Sequence, residues 1–133
     1  MKVVIDTNIW VSYLLGSLLQ GIDEKILSKE IEIVVSDEML KEISEVPSRP
    51  KFKNIFTVKR IKEIFSLLDS YAVVVSPSQK VDACRDEKDN YLLEVALEGG
   101  ADYLITGDED LLVLDPFHGI KIIRPKDFEG IFQ

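Results

Sequence analysis

Length, composition and charge confine this sequence to a few classes of protein. The chain has 133 residues, of which 46% are hydrophobic and 30% charged, as expected of one soluble globular domain. The single cysteine, Cys84, excludes an internal disulfide and favours a reducing, cytoplasmic setting. No apolar run approaches the roughly 18 residues of a membrane span. The net charge of −8 argues at first sight against a nucleic-acid partner.

Apolar periodicity predicts strands that alternate with helices along the whole chain. Thr7 or Asn8 is expected to cap the first helix, and Ser36 the third. This alternation predicts a single domain over residues 1–133, with an α/β fold of three layers (α/β/α) and a mainly parallel central sheet. The predicted strands are 3–5, 31–35, 72–75, 103–105 and 121–123. The predicted helices are a first one that carries Ile9, Trp10, Tyr13 and Leu14, followed by 18–28, 37–46, 58–68 and 86–98.

Two carboxylates follow predicted strands. Asp6 comes directly after the first strand, and Asp108 follows strand 103–105 across Thr106 and Gly107. Sites in parallel sheets form at the carboxyl ends of the strands, so these side chains are candidates for one site. Thr106 and Asn8 are plausible polar members of it. The alternatives are that Thr106 is an ordinary turn hydroxyl and that Asn8 only caps a helix.

The predicted helix at 86–98 adds a further carboxylate, because Asp89 falls on its apolar stripe. Leu92, Leu93 and Ala96 lie three, four and seven residues after Asp89. A buried carboxylate without a partner would cost several kcal/mol, so Asp89 needs a cation or dense hydrogen bonding. An interaction with the helix N-terminus alone is the open alternative. Asp86 is the expected N-cap of this helix.

The helix at 37–46 contributes Glu42, which lies about 90° from the centre of the apolar face. Glu38 and Glu45 point further toward solvent. Carboxylates from several separate elements can gather in one cleft only if a cation neutralises them. An oxygen-preferring ion such as Mg²⁺ or Mn²⁺ fits best, and such a site can activate water for attack on a phosphodiester. We interpret Asp110 as the start of a turn at 111–112, with indirect coordination as the alternative.

Four stretches closely resemble the PIN-domain family of metal-dependent ribonucleases. They occur in the family's order and span nearly the whole chain. The RPKF element within the second stretch resembles a branch of VapC-like toxins of toxin–antitoxin pairs. The stretches are VVIDTNIW (3–10), SDEMLKEISEVPSRPKF (36–52), RDEKDNYLLEVALEGGADYLITGDEDLL (85–112) and IIRPKDF (122–128).

The resemblance implies specific roles for the acidic residues. It makes Thr106 a supporting hydroxyl in the catalytic site and Asn8 a conformational support, and it leaves the role of Asp86 open. It implies an endoribonuclease that uses Mg²⁺ or Mn²⁺ on single-stranded or looped RNA. It also implies a small antitoxin partner and a homodimer. The catalytic and metal-binding quartet implied by the resemblance consists of Asp6, Glu42, Asp89 and Asp108.

Positive charge is concentrated in one acid-free segment, residues 49–62. Phe52 and Phe56 lie between these charges and could stack on unpaired bases. We predict that the segment faces RNA. A solvated face whose phenylalanines point into the core is the alternative. The candidate RNA-binding residues are Arg49, Lys51, Lys53, Lys59, Arg60 and Lys62.

Two other classes of function share some of these sequence features. A non-catalytic RNA- or antitoxin-binding module of the same fold is possible, although the intact quartet argues against it. An aspartyl-phosphate phosphatase or receiver would also place an Asp after its first strand. Such a phosphatase would require a second Asp two residues later, where this chain has Asn8.

Overall fold

Strands and helices alternate in the computed structural model, which describes residues 1–14, 21–52 and 57–131. Two short 3₁₀ turns, Val46–Ser48 and Pro50–Phe52, follow the third helix, because Pro47 and Pro50 cannot continue an α-helix. The strands are β1 (Lys2–Ile5), β2 (Glu32–Val35), β3 (Val73–Val74), β4 (Tyr103–Ile105) and β5 (Lys121–Ile123). The helices are α1 (Thr7–Leu14), α2 (Ile22–Leu27), α3 (Asp37–Glu45), α4 (Val58–Tyr71), α5 (Glu87–Glu98), α6 (Glu109–Leu112) and α7 (Pro125–Gly130).

The five strands form one sheet in the order β3-β2-β1-β4-β5, and every pair is parallel. Val3, Val4 and Ile5 of β1 are fully buried because helices cover both faces of the sheet, as is usual for parallel sheets. The predicted three-layer α/β/α fold is therefore confirmed, and the sheet is parallel throughout.

Alternate residues of each central strand enter two separate cores. Val3 and Ile5 point into a core shared with α1, α2 and α4, whereas Val4 points into a core shared with α5. The continuous apolar sequence of β1 follows from this arrangement, because both faces of the strand must be buried. None of the helices in the described ranges is long and apolar enough to cross a membrane.

The strand order places a topological switch point between β1 and β4. From β1 the chain moves outward through β2 and β3, and then returns through α5 to β4 on the other side of β1. The strands leave a crevice at such a point, beyond their carboxyl ends. Ile5 pairs with Ile105 at the end of the two strands, so the residues that follow, Asp6 and Thr106, lie side by side.

Several element boundaries differ from the predicted ones. Helix α1 begins at Thr7, and the Asp6 carboxylate accepts the Asn8 backbone N–H, so the prediction that Thr7 or Asn8 caps this helix is wrong. Ser36 caps α3 as predicted. The helix predicted at 18–28 is observed at Ile22–Leu27, and residues 18–20 lie outside the described part of the chain.

Two helices were not predicted. Helix α6 forms at Glu109–Leu112, where the sequence predicts a turn, because Asp108 caps it. The sequence pattern does not reveal this helix, since a single helical turn is too short to show periodicity. Helix α7 begins at Pro125, one residue after β5. Proline favours this first helical position. Both lie at or near the carboxyl edge of the sheet, and α6 carries part of the candidate site.

Candidate metal centre at the switch point of the sheet

The Asp6 carboxylate lies in the crevice between β1 and β4. Its side chain is 7% exposed. One oxygen, Oδ2, accepts a 2.8 Å hydrogen bond from the Thr106 hydroxyl, and the other, Oδ1, accepts the Asn8 backbone N–H at 3.1 Å. Burial raises the pKa of Asp6, and these two hydrogen bonds oppose the rise. The carboxylate is therefore held in one orientation by donors on both sides.

Thr106 links the ends of the two central strands. It is fully buried, and its hydroxyl donates to Asp6 while accepting the Asp108 backbone N–H at 3.1 Å. A single hydroxyl thus fixes both Asp6 and the start of the segment that carries Asp108. This is the supporting position predicted for Thr106, and it requires a side chain that can both donate and accept.

A group of three carboxylates lies next to this link. One oxygen each from Asp89, Asp108 and Asp110 lies within 4.8 Å of the other two. Asp89 comes from the first turn of α5 and is 7% exposed. Asp108 is the N-cap of α6, where its Oδ1 accepts the Asp110 backbone N–H at 2.9 Å. This capping hydrogen bond brings Asp108 and Asp110 to the same side of α6. We call these three residues the acidic trio.

The electrostatics of the acidic trio favour a bound cation. Burial and, after it, the nearby Asp108 carboxylate raise the pKa of Asp89 to about 6, with smaller contributions from Asp86 and Asp6. Like charges at this spacing resist ionisation together unless a cation neutralises them. The donors are all carboxylate oxygens, which suit a hard divalent ion. The trio therefore could hold a divalent metal ion.

The structure only partly assembles the predicted quartet. Asp89 and Asp108 belong to the acidic trio, and Asp6 adjoins it through Thr106 and contributes to the raised pKa of Asp89. Glu42 is half-buried at the edge of α3, as its helical position predicts, and its Oε2 accepts a long 3.4 Å hydrogen bond from the Thr7 hydroxyl. Glu42 thus lies on the α1 side of the crevice, outside the trio.

Asp110 is the member of this centre that the sequence interpretation missed. Its sequence position predicts the start of a turn, whereas the structure places its carboxylate in the acidic trio. The available signal was its spacing: an N-cap Asp followed two residues later by a second Asp in the first helical turn presents both carboxylates to the same end of the helix.

Asn8 and Asp86, the two predicted supporting residues, act through local structure. The backbone N–H of Asn8 donates to Asp6, while its side chain is exposed. Asp86 caps α5, and its Oδ1 accepts the Lys88 backbone N–H at 2.8 Å. The predicted N-cap is therefore confirmed. The Asp86 charge also contributes to the raised pKa of Asp89.

The loop that leads into α5 is fixed by side chains from one face of that helix. Asn90 is buried; its Oδ1 accepts the backbone N–H groups of Ala83 and Cys84 at 3.0 and 2.8 Å, and its Nδ2 donates to the Cys84 carbonyl at 3.0 Å. One turn and two turns later, Glu94 and Glu98 accept from backbone N–H groups of the same loop. The position of the loop beside the acidic trio is therefore set by α5.

Replacing Asn90 with alanine is expected to lower the free energy of unfolding by about 2–3 kcal/mol, because it leaves backbone groups of Ala83 and Cys84 without a partner. Urea denaturation followed by circular dichroism measures the change. Lys88→Ala, on an exposed position of the same helix, is the matched control and should shift stability by less than about 0.5 kcal/mol. Equal effects of the two substitutions would contradict the assigned role of Asn90.

The cations of the predicted RNA-facing segment differ in exposure. Arg49, Lys51, Lys59 and Lys62 are exposed. The Arg60 guanidinium instead lies 4.5 Å from the centre of the Tyr13 ring and donates to the Tyr13 carbonyl at 3.2 Å. Arg60 also forms a 3.7 Å ion pair with Glu63. Arg60 is therefore tied to α1, and its contact with RNA stays a prediction.

Part of this segment lies outside the described residues. Lys53 and Phe56, and the side chain of Phe52, lie outside the described residues. The prediction that the two phenylalanines stack on bases therefore stays a prediction.

Comparison with known proteins identifies the family of the chain. Residues 2–110 match the sequence model of the PIN domain, a span that includes Asp6, Glu42 and the acidic trio. An uncharacterized protein of Methanocaldococcus jannaschii is 36% identical over 147 aligned positions, which cover 100% of this chain and 92% of that protein. The chain therefore belongs to the PIN-domain family.

Proposed function

We propose that this protein is an endoribonuclease that hydrolyses phosphodiester bonds in single-stranded or looped RNA with the help of Mg²⁺ or Mn²⁺. PIN domains are generally nucleases. The observation that carries the proposal is the acidic trio, with its oxygens within 4.8 Å of one another, beside the Asp6–Thr106 pair at the switch point of the sheet. This donor set matches Mg²⁺ and Mn²⁺ better than zinc, which prefers nitrogen and sulfur ligands.

Each residue has a distinct proposed role in the hydrolysis. When bound, the divalent ion supplies a Lewis acid that lowers the pKa of water and offsets the charge of the phosphate. Asp6, Asp89 and Asp108 would hold the ion, and Asp110 is placed to assist them. Thr106 keeps Asp6 in position. Glu42 either completes the ligand set or orients the attacking water.

The net chemistry is a substitution at phosphorus. The oxygen of a water molecule forms a new bond to the phosphorus atom while the bond to one ester oxygen breaks. The water loses a proton, and the departing ester oxygen takes one up. The carboxylates of this chain neutralise the positive charge of the ion, and Glu42 is the residue placed outside the trio that could receive or direct the proton of the water.

The test is cleavage of an end-labelled RNA that contains both a hairpin loop and single-stranded flanks. We expect cleavage in the presence of Mn²⁺ or Mg²⁺, loss of cleavage with EDTA, and recovery when excess Mn²⁺ is added back. RNA binding without cleavage under every metal condition would instead indicate a non-catalytic module. Cleavage that EDTA does not affect would contradict the metal-dependent mechanism.

The exposed cations of segment 49–62 are proposed to guide the RNA. Reversing Arg49, Lys59 and Lys62 to Glu should weaken RNA binding and flatten the dependence of log Kd on log salt. The slope should fall by about 0.7 for each phosphate of single-stranded RNA that the variant no longer neutralises. Fluorescence anisotropy across a range of salt concentrations measures this slope.

A matched control uses lysines at the amino edge of the sheet, opposite the candidate centre. Lys2 and Lys121 begin β1 and β5, and Lys29 lies shortly before β2. Reversing these three charges changes the net charge equally and should leave the slope close to that of the wild type. Equal slopes for the wild type and the segment 49–62 variant would contradict the proposed guide.

We also propose that the protein is the VapC-like toxin of a toxin–antitoxin pair and acts in the cytoplasm as a homodimer. The resemblance of the RPKF element to toxins of this kind supports the proposal. A small antitoxin would cover the acidic crevice. Expression should then arrest growth, and the product of a neighbouring small gene should relieve the arrest and co-purify. Growth that continues at high expression of active protein would contradict the toxin assignment.

A further inference from the structure

We propose that Arg85 binds a non-bridging phosphate oxygen of the RNA at the edge of the metal centre. The inference rests on the proposed function and adds a residue to that site. Arg85 directly precedes Asp86, the N-cap of α5, and its Nη2 lies 3.5 and 3.4 Å from the two carboxylate oxygens of Asp110. A cation of the chain thus already lies against a member of the acidic trio.

The contact between Arg85 and Asp110 is loose. A strong pairing of arginine with a carboxylate has N–O distances of about 2.7–2.9 Å and usually two parallel hydrogen bonds. Here a single nitrogen lies at 3.4–3.5 Å, and the Arg85 side chain is 91% exposed. A pair of this kind contributes little to stability. Its geometry leaves the guanidinium able to exchange Asp110 for another anion.

The main chain at Arg85 is held much more firmly than its side chain. Asn90 makes three hydrogen bonds to the residues just before Arg85, namely Ala83 and Cys84. The Asp86 cap fixes the residue just after it. The structure therefore anchors the base of Arg85 beside the trio and leaves its guanidinium in solvent, which is the arrangement of a side chain that meets an incoming ligand.

Charge balance explains why such a cation is useful. Asp6 and the acidic trio carry up to four negative charges when ionised, more than one divalent ion neutralises. A bound phosphodiester would add one more negative charge. When Asp110 turns toward a bound ion, the Arg85 guanidinium loses its partner. The paired N–H donors of the planar guanidinium can then bind phosphate oxygens.

Arg124 is the weaker candidate for this role. It lies after β5 and pairs with Glu109 of α6, a residue outside the acidic trio. Its side chain is 48% exposed, against 91% for Arg85, so its guanidinium is less accessible to a ligand. The comparison favours Arg85 as the cation that meets the phosphate.

The experiment compares Arg85→Gln and Arg85→Lys with Lys121→Gln, a control at the opposite edge of the sheet. RNA affinity is measured by anisotropy against salt in an Asp6→Asn background, so that the RNA stays intact. Arg85→Gln should reduce the slope of log Kd against log salt by about 0.7, and Arg85→Lys should restore most of it. In the otherwise wild-type protein, Arg85→Gln should lower kcat/KM by roughly tenfold or more, as expected for loss of a charged hydrogen bond.

A metal-binding measurement separates this role from a merely structural one. Mn²⁺ should bind to Arg85→Gln as tightly as to the wild type, or more tightly, because a cation that competes for Asp110 is gone. Weaker Mn²⁺ binding, or a salt slope equal to that of the wild type, would overturn the assignment of Arg85. Failure of the wild-type protein to cleave RNA with any divalent metal would instead overturn the proposed function, and the salt slope would still decide whether Arg85 contacts phosphate.

Discussion

Asp6→Asn is expected to lower metal-dependent RNA cleavage by roughly 100- to 1,000-fold, the scale at which removal of one electrostatic interaction in an active site reduces the rate. The substitution keeps the size of the side chain and removes its charge. The remaining amide oxygen can still accept from the Asn8 N–H, and the new amide nitrogen can donate to the Thr106 hydroxyl oxygen once the hydroxyl proton turns away. Since burial already favours the neutral form of Asp6, the fold should tolerate this change.

Cleavage rates and thermal unfolding of the same preparations measure the effect. Asp69→Asn, on an exposed position of α4, is the matched control and should cleave like the wild type. Full activity of Asp6→Asn would contradict the proposed role of Asp6. Loss of activity accompanied by unfolding would indicate a structural role, in which case Asp108→Asn, at a less buried position, provides the second test.

Asp89→Asn is expected to stabilise the metal-free protein at alkaline pH. The pKa of Asp89 is raised to about 6 in the folded protein, above the value of about 3.9 in an unfolded chain. The stabilising contribution of protonated Asp89 is therefore complete below about pH 4 and is lost as the pH rises through about 6. The cost of ionisation is at most about 3 kcal/mol, and we expect about 1–2 kcal/mol because neighbouring groups can relax.

Asparagine resembles the protonated acid and has no ionised form, so it avoids the cost of ionising residue 89 in the folded protein. Without metal at pH 8, Asp89→Asn should therefore have a free energy of unfolding about 1–2 kcal/mol above that of the wild type, and the difference should vanish toward pH 4. Urea denaturation in EDTA at several pH values measures the difference. A variant that is less stable than the wild type at pH 8 would show that the Asp89 carboxylate supports the fold without metal.

Added Mn²⁺ should reverse this order of stability. A ligand that binds only the folded protein stabilises it by about 2.7 kcal/mol at one hundred times its Kd. The wild type should gain this stability, and Asp89→Asn should gain much less because it lacks a carboxylate of the trio. Equal stabilisation of both proteins by Mn²⁺ would place the ion elsewhere.

Much of the sheet and part of the site could be predicted from local sequence patterns. Strands 103–105 and 121–123 are short β-branched or aromatic runs between turn residues, and they were predicted with the observed bounds. The burial of Asp89 follows from its three- and four-residue spacing to Leu92 and Leu93, and the boundary position of Glu42 follows from the face of α3. These features depend on helical geometry alone.

The features that were missed depend on contacts between distant segments. The place of Asp110 in the trio requires α6 and the first turn of α5, which are distant in the sequence, to lie close together. The engagement of Arg60 with Tyr13 joins residues 47 positions apart. Sequence periodicity carries no information on such pairings. For the same reason, the sequence pattern shows that Arg85 precedes a helix but does not show that Arg85 lies against Asp110.

The most direct test of the metal-centre account is one Mn²⁺ titration of the wild-type protein that follows both bound Mn²⁺, by electron paramagnetic resonance, and the rate of RNA cleavage. We expect both to rise over the same range of Mn²⁺ concentration, and Asp108→Asn to shift both to higher concentrations or abolish them. Cleavage that proceeds at full rate before Mn²⁺ binds, or complete Mn²⁺ binding without any cleavage, would contradict the proposed metal centre.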